Sequence, residues 1–393
     1  MSRFRLYPSP EQEVVLLEHC AHARFVWNLA VEQATMTGGR RRRPGFAEHC
    51  RQLTEARQEF EWLARGSCTV QQQALKDFAV CVSAWRAGRA GRPGWRKRDR
   101  HESFRIVALR PGHVRRLTKR YGEVLVPKAG RIRFRWSREC KAAKSYRIKR
   151  DAAGRWFVAF AVIPAPMDGP GTGEVVGIDR GVVNSASLST GEHLFCPRMT
   201  QDELRRFRRL QRRLARSVRG SNRRQRTRYA LARIKAKEVN RRKDWIEKLT
   251  TDLSRRFDII RVEDLRIKNL TRSGRGTLGN PSRQTSRKAK LNRGILTSGW
   301  GALVRRLEEK SGGRVERVSA AFTSQTCSEC GYCAPENRKS QAIFECDRCG
   351  RTMHADTNAA INIAAGRVVP ARGGMPTGAP SNREPRHATS LAV

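Results

Sequence analysis

Five of the eleven cysteines crowd into residues 327–349, in the string CSECGYCAPENRKSQAIFECDRCG. Cys327 and Cys330 form one C-x-x-C and Cys346 and Cys349 another, with 15 residues between them. Two residues between thiolates let both sulfurs of a tight knuckle face one tetrahedral ion ~2.3 Å away, so the spacing predicts a zinc ribbon. Gly331 and Gly350, one past each knuckle, suit its turn. Four thiolates leave no open position, so the Zn²⁺ expected here is structural. Cys333 is a spare that could replace one ligand, although Cys327 and Cys330 already complete the standard knuckle. The remaining six (Cys20, Cys50, Cys68, Cys81, Cys140, Cys196) are scattered, and an odd total excludes a fully paired disulfide framework. Scattered cysteines read as small buried hydrophobes.

Three acids stand out next. Asp179 ends the apolar run VVGI between Gly177 and Gly181, Glu263 ends DIIRV, and Asp356 opens an Ala/Ile-rich helix seven residues after Cys349. Each alone reads as the cap of a strand or helix. Together they have the chemistry for a pair of Mg²⁺ ions, which needs a few hard oxygen ligands spread over two centres ~3.5–4 Å apart.

These residues sit in a very basic chain of 393 residues, with 81 Lys plus Arg against 36 Asp plus Glu and a net charge of +45. Such an excess implies a polyanionic partner, with nucleic acid leading, and argues against an ordinary metabolic enzyme. Hydrophobic residues at 38% suffice for a core at this size. No apolar run approaches the ~20 residues of a membrane span, and MSRFRLYPSPEQ lacks a signal-peptide stretch. The expectation is a cytoplasmic protein, nucleoid-associated in a prokaryote, with no membrane partner.

Periodicity supplies the elements that must position the chemistry. FRLYPSPEQ is a short strand, and Pro10 opens a helix with apolar positions Val14, Leu17, Cys20, Phe25 and Leu29. After the Gly/Arg break at 38–45, residues 46–87 read as two helical pieces divided around Gly66. A basic loop, RAGRAGRPGWRKRDR, follows at 86–100. Residues 103–165 carry five strand-like runs, predicting a small β-barrel or sandwich with a helical insert after its first strand. PAPMDGPGTG (164–173) is a linker, and EVVGIDRGVVNSASLSTGE gives two strands. Residues 201–257 are helical, with 21 Lys/Arg against 6 Asp/Glu. A strand at 258–265, a basic loop at 266–290, an amphipathic helix at about 295–311, a strand VERVSAAFT, the cysteines and the helix HADTNAAINIAAG complete the order.

GIDRGVVNSASLSTG, RVEDL and HADTNAAINI, with the ribbon just before the third, resemble the split RuvC-type nuclease domain of transposon-encoded TnpB proteins, shared by type V CRISPR effector nucleases. RLYPSPEQ, ARFVWN, EFEWL, PGWRKR, ESFR, LNRGILTSGWG, AFTSQTC and ENRKSQAIFEC resemble the same family in the same order, so the likeness covers about residues 3–366. It implies an α+β multidomain chain: a β-barrel, wedge-like domain at 1–37 and 101–170, and a helical recognition insert with its basic loop at 38–100. A ribonuclease H-like (RuvC) α/β nuclease domain follows at 171–322 and 351–366, with a zinc ribbon inserted at 323–350 and a disordered tail at 367–393. Matched residue by residue, Asp179, Glu263 and Asp356 correspond to the catalytic acids and Mg²⁺ ligands, and Cys327, Cys330, Cys346 and Cys349 to the zinc ligands. Two departures are Arg180, where the family usually has an apolar residue, and Phe322, where Tyr is more typical. A cation at 180 could tune the metal site or lie against nucleic acid.

The resemblance implies a guide RNA, a double-stranded DNA target with a short adjacent motif, and Mg²⁺-dependent phosphodiester hydrolysis. Base pairing would read the sequence while the protein holds backbones and reads the motif. Thr69, Gln72 and Gln73 could face base edges, since amides pair bidentately with adenine. Arg96 and Lys97 in the basic loop, and Arg223 and Arg224 in the basic helical stretch, are candidate backbone contacts. Trp62, Trp85 and Trp95 could stack bases, but two lie on apolar helical faces and read as core. The loop 265–283 could form a lid. Two other readings remain: an RNA-guided DNA-binding protein without cleavage, which would lack one acid, and a strand-joining transposase. A zinc-ribbon RNA-binding protein would leave the three acids to coincidence.

Overall fold

Alternating apolar and basic side chains build the first half. The computed structural model describes residues 2–36, 44–139, 143–162, 164–274 and 284–366. The chain divides into two units, one formed by 1–165 and 199–241, the other by 166–198 and 242–393. Most of the Gly/Arg break (38–43), Cys140, the second half of the proposed lid (275–283) and the tail (367–393) lie outside the described residues.

In the first unit, strand β1 (Ser2–Tyr7) leads to helices α1 (Pro10–Met36), α2 (Phe46–Glu59), α3 (Glu61–Ala64) and α4 (Cys68–Arg86). Six strands follow: β2 (Ser103–Val107), β3 (Val114–Arg116), β4 (Tyr121–Val126), β5 (Gly130–Arg135), β6 (Ser145–Arg150) and β7 (Trp156–Phe160). They form one antiparallel sheet in the order β2-β6-β7-β1-β5-β4-β3. Period-2 alternation puts Phe4, Leu6, Ile132, Phe134, Ile148, Val158 and Phe160 on one face, in a single core with residues of α1 and α4. The sheet is open, which corrects the expected closed barrel: β2 and β3 are its two ends and do not pair with each other among the described residues. Strand β3 is three residues long with Arg115 and Arg116 exposed, the short charged edge that resists further pairing.

Helix α1 buries part of the expected stripe: Cys20 is buried and Leu17 packs half-buried against the core. Leu16, Cys20, Ala23, Val26, Trp27, Ala30 and Val31 are buried, while Val14, Phe25 and Leu29 are exposed. The helix is apolar on two sides. Gly66 separates α3 from α4 because a Cβ there would lie 1.9 Å from His22 Nδ1. Two basic helices complete the unit. A capping box between Thr200 and Glu203 starts α5 (Gln201–Ala215). Helix α6 (Asn222–Arg256) runs on past residue 241 into the second unit.

The second unit is built on β8 (Val175–Asp179), β9 (Ala186–Leu188), β10 (His193–Leu194), β11 (Ile259–Glu263) and β12 (Val315–Val318), in the order β10-β9-β8-β11-β12. Strands β8, β11 and β12 are parallel, whereas β9 and β10 are antiparallel additions. Val176, Ile178, Ile260 and Val262 are fully buried, as parallel strands covered on both faces require. After the short helix α7 (Ile267–Leu270), the expected single helix at 295–311 is two: α8 (Thr285–Ser298) and α9 (Trp300–Ser311). Gly299, at φ +75°, breaks them by adopting the left-handed conformation. Strands β13 (Ile343–Glu345) and β14 (Thr352–His354) form the ribbon hairpin, and α10 (Ala355–Ala364) follows directly.

Candidate active site

The acids meet because two parallel strands end together and a helix lies on one of them. Ile178 of β8 stands opposite Val262 of β11, so Asp179 and Glu263 follow at the same C-terminal sheet edge, where open α/β sheets collect functional side chains. Helix α10 packs on β8 with no intervening side chain: a Cβ on Gly177 would lie 2.0 Å from the Ala360 carbonyl oxygen. That approach places Asp356, in the first turn of α10, beside the strand end. His354 caps the helix, its Nδ1 accepting from the Asp356 N–H at 3.2 Å.

Electrostatics shows the clustering. Burial pushes the Asp179 carboxyl well up from the usual carboxylate range, and repulsion from Glu263 and Asp356 adds to it; Arg338 and the Arg180 N–H oppose the rise. Burial likewise pushes Glu263 up to about 7, against the pull of Arg180. Asn184 donates from Nδ2 to Asp356 Oδ2 at 2.8 Å. Arg338 brings its guanidinium to 3.7 Å from Asp356 Oδ1. Carboxylates that repel one another at one buried point form a donor set for a hard cation. Among the described residues, the four ribbon cysteines are the one group of three or more ligand atoms drawn within 4.8 Å of one another. The three carboxylates are not drawn together as tightly.

In the ribbon, Cys327 Sγ lies 3.7 Å from Cys349 Sγ, and Cys330 Sγ 3.6 Å from Cys346 Sγ. The edge of a tetrahedron with ~2.3 Å zinc–sulfur bonds is about 3.8 Å, so the thiolates fit Zn²⁺. Gly331 and Gly350 take φ of +72° and +69°, the knuckle conformation their positions suggest. Cys333 is not in the group. Buried Asn337 links the two knuckles, donating to the Gln325 and Tyr332 carbonyls and accepting from the Asp347 N–H. Asn358 and Asn362 of α10 donate to the Thr326 carbonyl, both at 2.7 Å, so the first knuckle is bolted to the helix that carries Asp356.

The remaining candidates lie in the first unit and are not gathered at one point. Thr69, Gln72 and Gln73 stand in the first turns of α4, with Gln72 exposed and the other two half-buried; buried Gln71 instead binds the Leu63 carbonyl. Arg96 lies 3.5 Å above the Trp27 ring, and Lys97 is exposed. Arg223 lines a cleft of about 1050 Å³ with Arg205, Arg209, Arg212, Arg213 and Arg216. Arg224 is occupied, donating to the Leu214 and Ser217 carbonyls at the end of α5. The tryptophans do not enter the core as expected: Trp62 is 44% and Trp95 56% exposed, and Trp85 is half-buried. Trp62 sits on a four-residue helix and meets ring edges, Phe25 at 4.9 Å among them. Arg338 and Asn184 escape sequence reasoning. No local sequence signal marks either of them, since each meets Asp356 only through the fold.

Comparison with known proteins follows this geometry. Residues 163–274 match a family described as a probable transposase, and residues 300–363 a Cas12f1-like TNB domain. Residues 2–37 match a helix-turn-helix domain, although residues 2–36 here form one strand and one unbroken helix. The chain is 33% identical to the putative RNA-guided DNA endonuclease InsQ of Escherichia coli K12, covering 98% of this chain and 96% of that protein. It is 29% identical to a putative RNA-guided DNA endonuclease of Streptomyces pristinaespiralis, covering 99% and 96%. Its fold is similar to the cryo-EM structure of the Cas12f1-sgRNA-target DNA complex, with a TM-score of 0.53 and 14% identity over 91% of this chain and 83% of that one. No helix of the described residues is long and apolar enough to cross a membrane. With 33% identity to InsQ over nearly the full length of both chains added to the motifs and their order, the chain belongs to the TnpB family of transposon-encoded, RNA-guided RuvC-like endonucleases.

Proposed function

We propose that this protein is an RNA-guided endonuclease, encoded by a transposon, that hydrolyses target DNA beside a short adjacent motif through a two-metal, ribonuclease H-like site. The observation that carries the reading is the convergence of Asp179, Glu263 and Asp356 from two parallel strand ends and a packed helix. An acid on a central strand, one on its neighbour and one on a covering helix is the arrangement expected of that fold.

Asp179, Glu263 and Asp356 would hold the magnesium ions. When bound, such a pair supplies an activated water and stabilises the leaving 3′ oxygen. The protein's own residues do the rest. Arg338, a fixed cation at the edge of the acids, faces the anionic backbone of a strand entering the site and offsets charge on its phosphate. Asn184 holds the Asp356 carboxylate, and Arg180 holds the backbone carbonyl of Glu263. Cys327, Cys330, Cys346 and Cys349 would hold zinc in a structural role, and Asn358 and Asn362 transmit that order to the helix of Asp356. The arginine cleft between α5 and the start of α6 is the proposed grip on the guide RNA, with Arg223 on its wall. Thr69, Gln72 and Gln73 are the proposed readers of the adjacent motif, and Arg96 and Lys97 backbone contacts.

The test is to purify the protein with co-expressed RNA, sequence that RNA, and assay Mg²⁺-dependent cleavage of a matching target beside Asp179→Ala. One defined RNA species and cleavage lost in the variant are expected. Cleavage indifferent to Asp179 overturns the nuclease reading, and heterogeneous cellular RNA overturns the guide.

A further inference from the structure

The turn that leaves β8 after Asp179 reaches both of the other acids. Arg180, 5% exposed, donates from its guanidinium to the backbone carbonyl of Glu263. Its Nε is buried without a hydrogen-bond partner. Four residues on, Asn184 is 8% exposed and donates to Asp356 Oδ2 at 2.8 Å. The turn itself is clamped. Trp300 Nε1 donates to the Gly181 carbonyl at 3.2 Å, and Val182 Cγ1 presses on Gly294 so closely that a Cβ there would lie 2.6 Å away. Gly181 folds onto the Asn184 carbonyl, where a Cβ would meet it at 2.7 Å.

Resting on the reading of the three acids as metal-holding, we propose that residues 180–184 are the positioning element of the site: Arg180 fixes the strand end that carries Glu263, and Asn184 fixes the side chain of Asp356. One short segment, tied covalently to the first acid, thereby sets the other two. With Oδ2 of Asp356 engaged by Asn184 and Oδ1 lying 3.7 Å from the Arg338 guanidinium, the carboxylate is held from rotating. The Arg180 guanidinium adds a second donor to the Glu263 carbonyl, which also accepts from the Leu265 N–H at 3.1 Å, and brings a positive charge to carboxylates that repel one another. Both residues act through the acids, so they are positioning residues and not catalytic ones.

The experiment uses the full chain with its co-purified RNA and Fe²⁺ in place of Mg²⁺. With ascorbate, bound iron cuts the nearby backbone, so ion occupancy is read from fragment sizes without any DNA cleavage. The unmodified protein is expected to be cut near residues 179, 263 and 356. Asn184→Leu, which keeps shape but loses the donor, and Arg180→Met, which keeps an unbranched stem but loses the charged head, are each expected to need at least about tenfold more Fe²⁺ for half-maximal scission, as the loss of one hydrogen bond to a charged group implies. Melting temperature and RNA yield should stay near those of the unmodified protein. Asn184→Ser and Arg180→Lys, which restore a donor, are expected to fall between, and they carry the test if the first pair does not fold. Half-points equal to the unmodified protein in every folded variant overturn the proposal. Absent local scission in the unmodified protein, or scission unchanged in Asp179→Ala, overturns the reading of the acids.

Discussion

Gly177 and Ala360 touch backbone to backbone: a Cβ on the glycine would lie 2.0 Å from the alanine carbonyl oxygen. The close approach sets the distance between the strand of Asp179 and the helix of Asp356. Gly177→Ala cannot be absorbed by a side-chain rotation, because the obstruction is main chain. We expect it to lower the melting temperature of the second unit and to abolish target cleavage, while RNA co-purification through the first unit survives. Limited proteolysis with cleavage assays separates the two outcomes.

Removing the ribbon metal should act at a distance. Cys346→Ser, or a strong chelator, is expected to drop zinc from one per chain to none by elemental analysis. The Thr326 carbonyl that receives Asn358 and Asn362 lies beside Cys327, so the loss should loosen α10 and abolish cleavage. Unchanged cleavage by zinc-free protein would separate ribbon and site.

Arg338→Ala should reduce the cleavage rate by about 10²–10³, the usual cost of removing one donor aimed at developing charge. Binding of target by the protein–RNA complex should hold, and Arg338→Lys should recover part of the rate. A filter-binding assay beside single-turnover cleavage tests the split.

The arginine cleft predicts a salt effect. Arg209→Ala with Arg213→Ala removes two cations from its wall. The slope of log affinity for RNA against log salt should fall by about 0.7–0.9 for each phosphate that the variant no longer neutralises. Equal slopes would mean that these side chains face only water.

Stability of the first unit should fall with acid. Burial holds the His19 and His49 imidazoles below their ordinary value of 6.5, outweighing the Pro127 carbonyl at His19 and the Gly45 backbone at His49. His49 Nε2 is buried without a hydrogen-bond partner. Since the unfolded chain binds these protons more readily, the stability they contribute is full above pH 6.5 and is lost as pH falls through the lower folded-state values. The melting temperature should be lower at about pH 5 than at about pH 7.5, with a shallower dependence in His19→Gln and His49→Gln.

The ribbon is legible in the sequence because metal-ligand chemistry is written in local spacing: two residues between thiolates are enough. The acids are legible one by one as strand and helix ends, and only the order of their surroundings joins them. Residues that act across the chain leave no such trace. Asn184 meets Asp356 over 172 residues, and nothing local marks it as more than a turn amide. The buried face of α1 is hidden because Val14, Phe25 and Leu29 are as apolar as the residues that pack. The open sheet depends on β3, whose three residues are too few to read as a strand in sequence. Gly299 breaks a helix that periodicity alone carries on from 295.

The seam between the ribbon and α10 has a consequence in time. Asp179 and Glu263 leave the ribosome before the ribbon exists, and Asp356 follows the fourth thiolate by seven residues. A nascent chain therefore displays the arginines proposed to grip RNA well before its acid set is complete. If the knuckles must fill before α10 docks, hydrolytic capacity is the last property the molecule acquires during synthesis, and a truncated or metal-starved chain is a binder that does not cut.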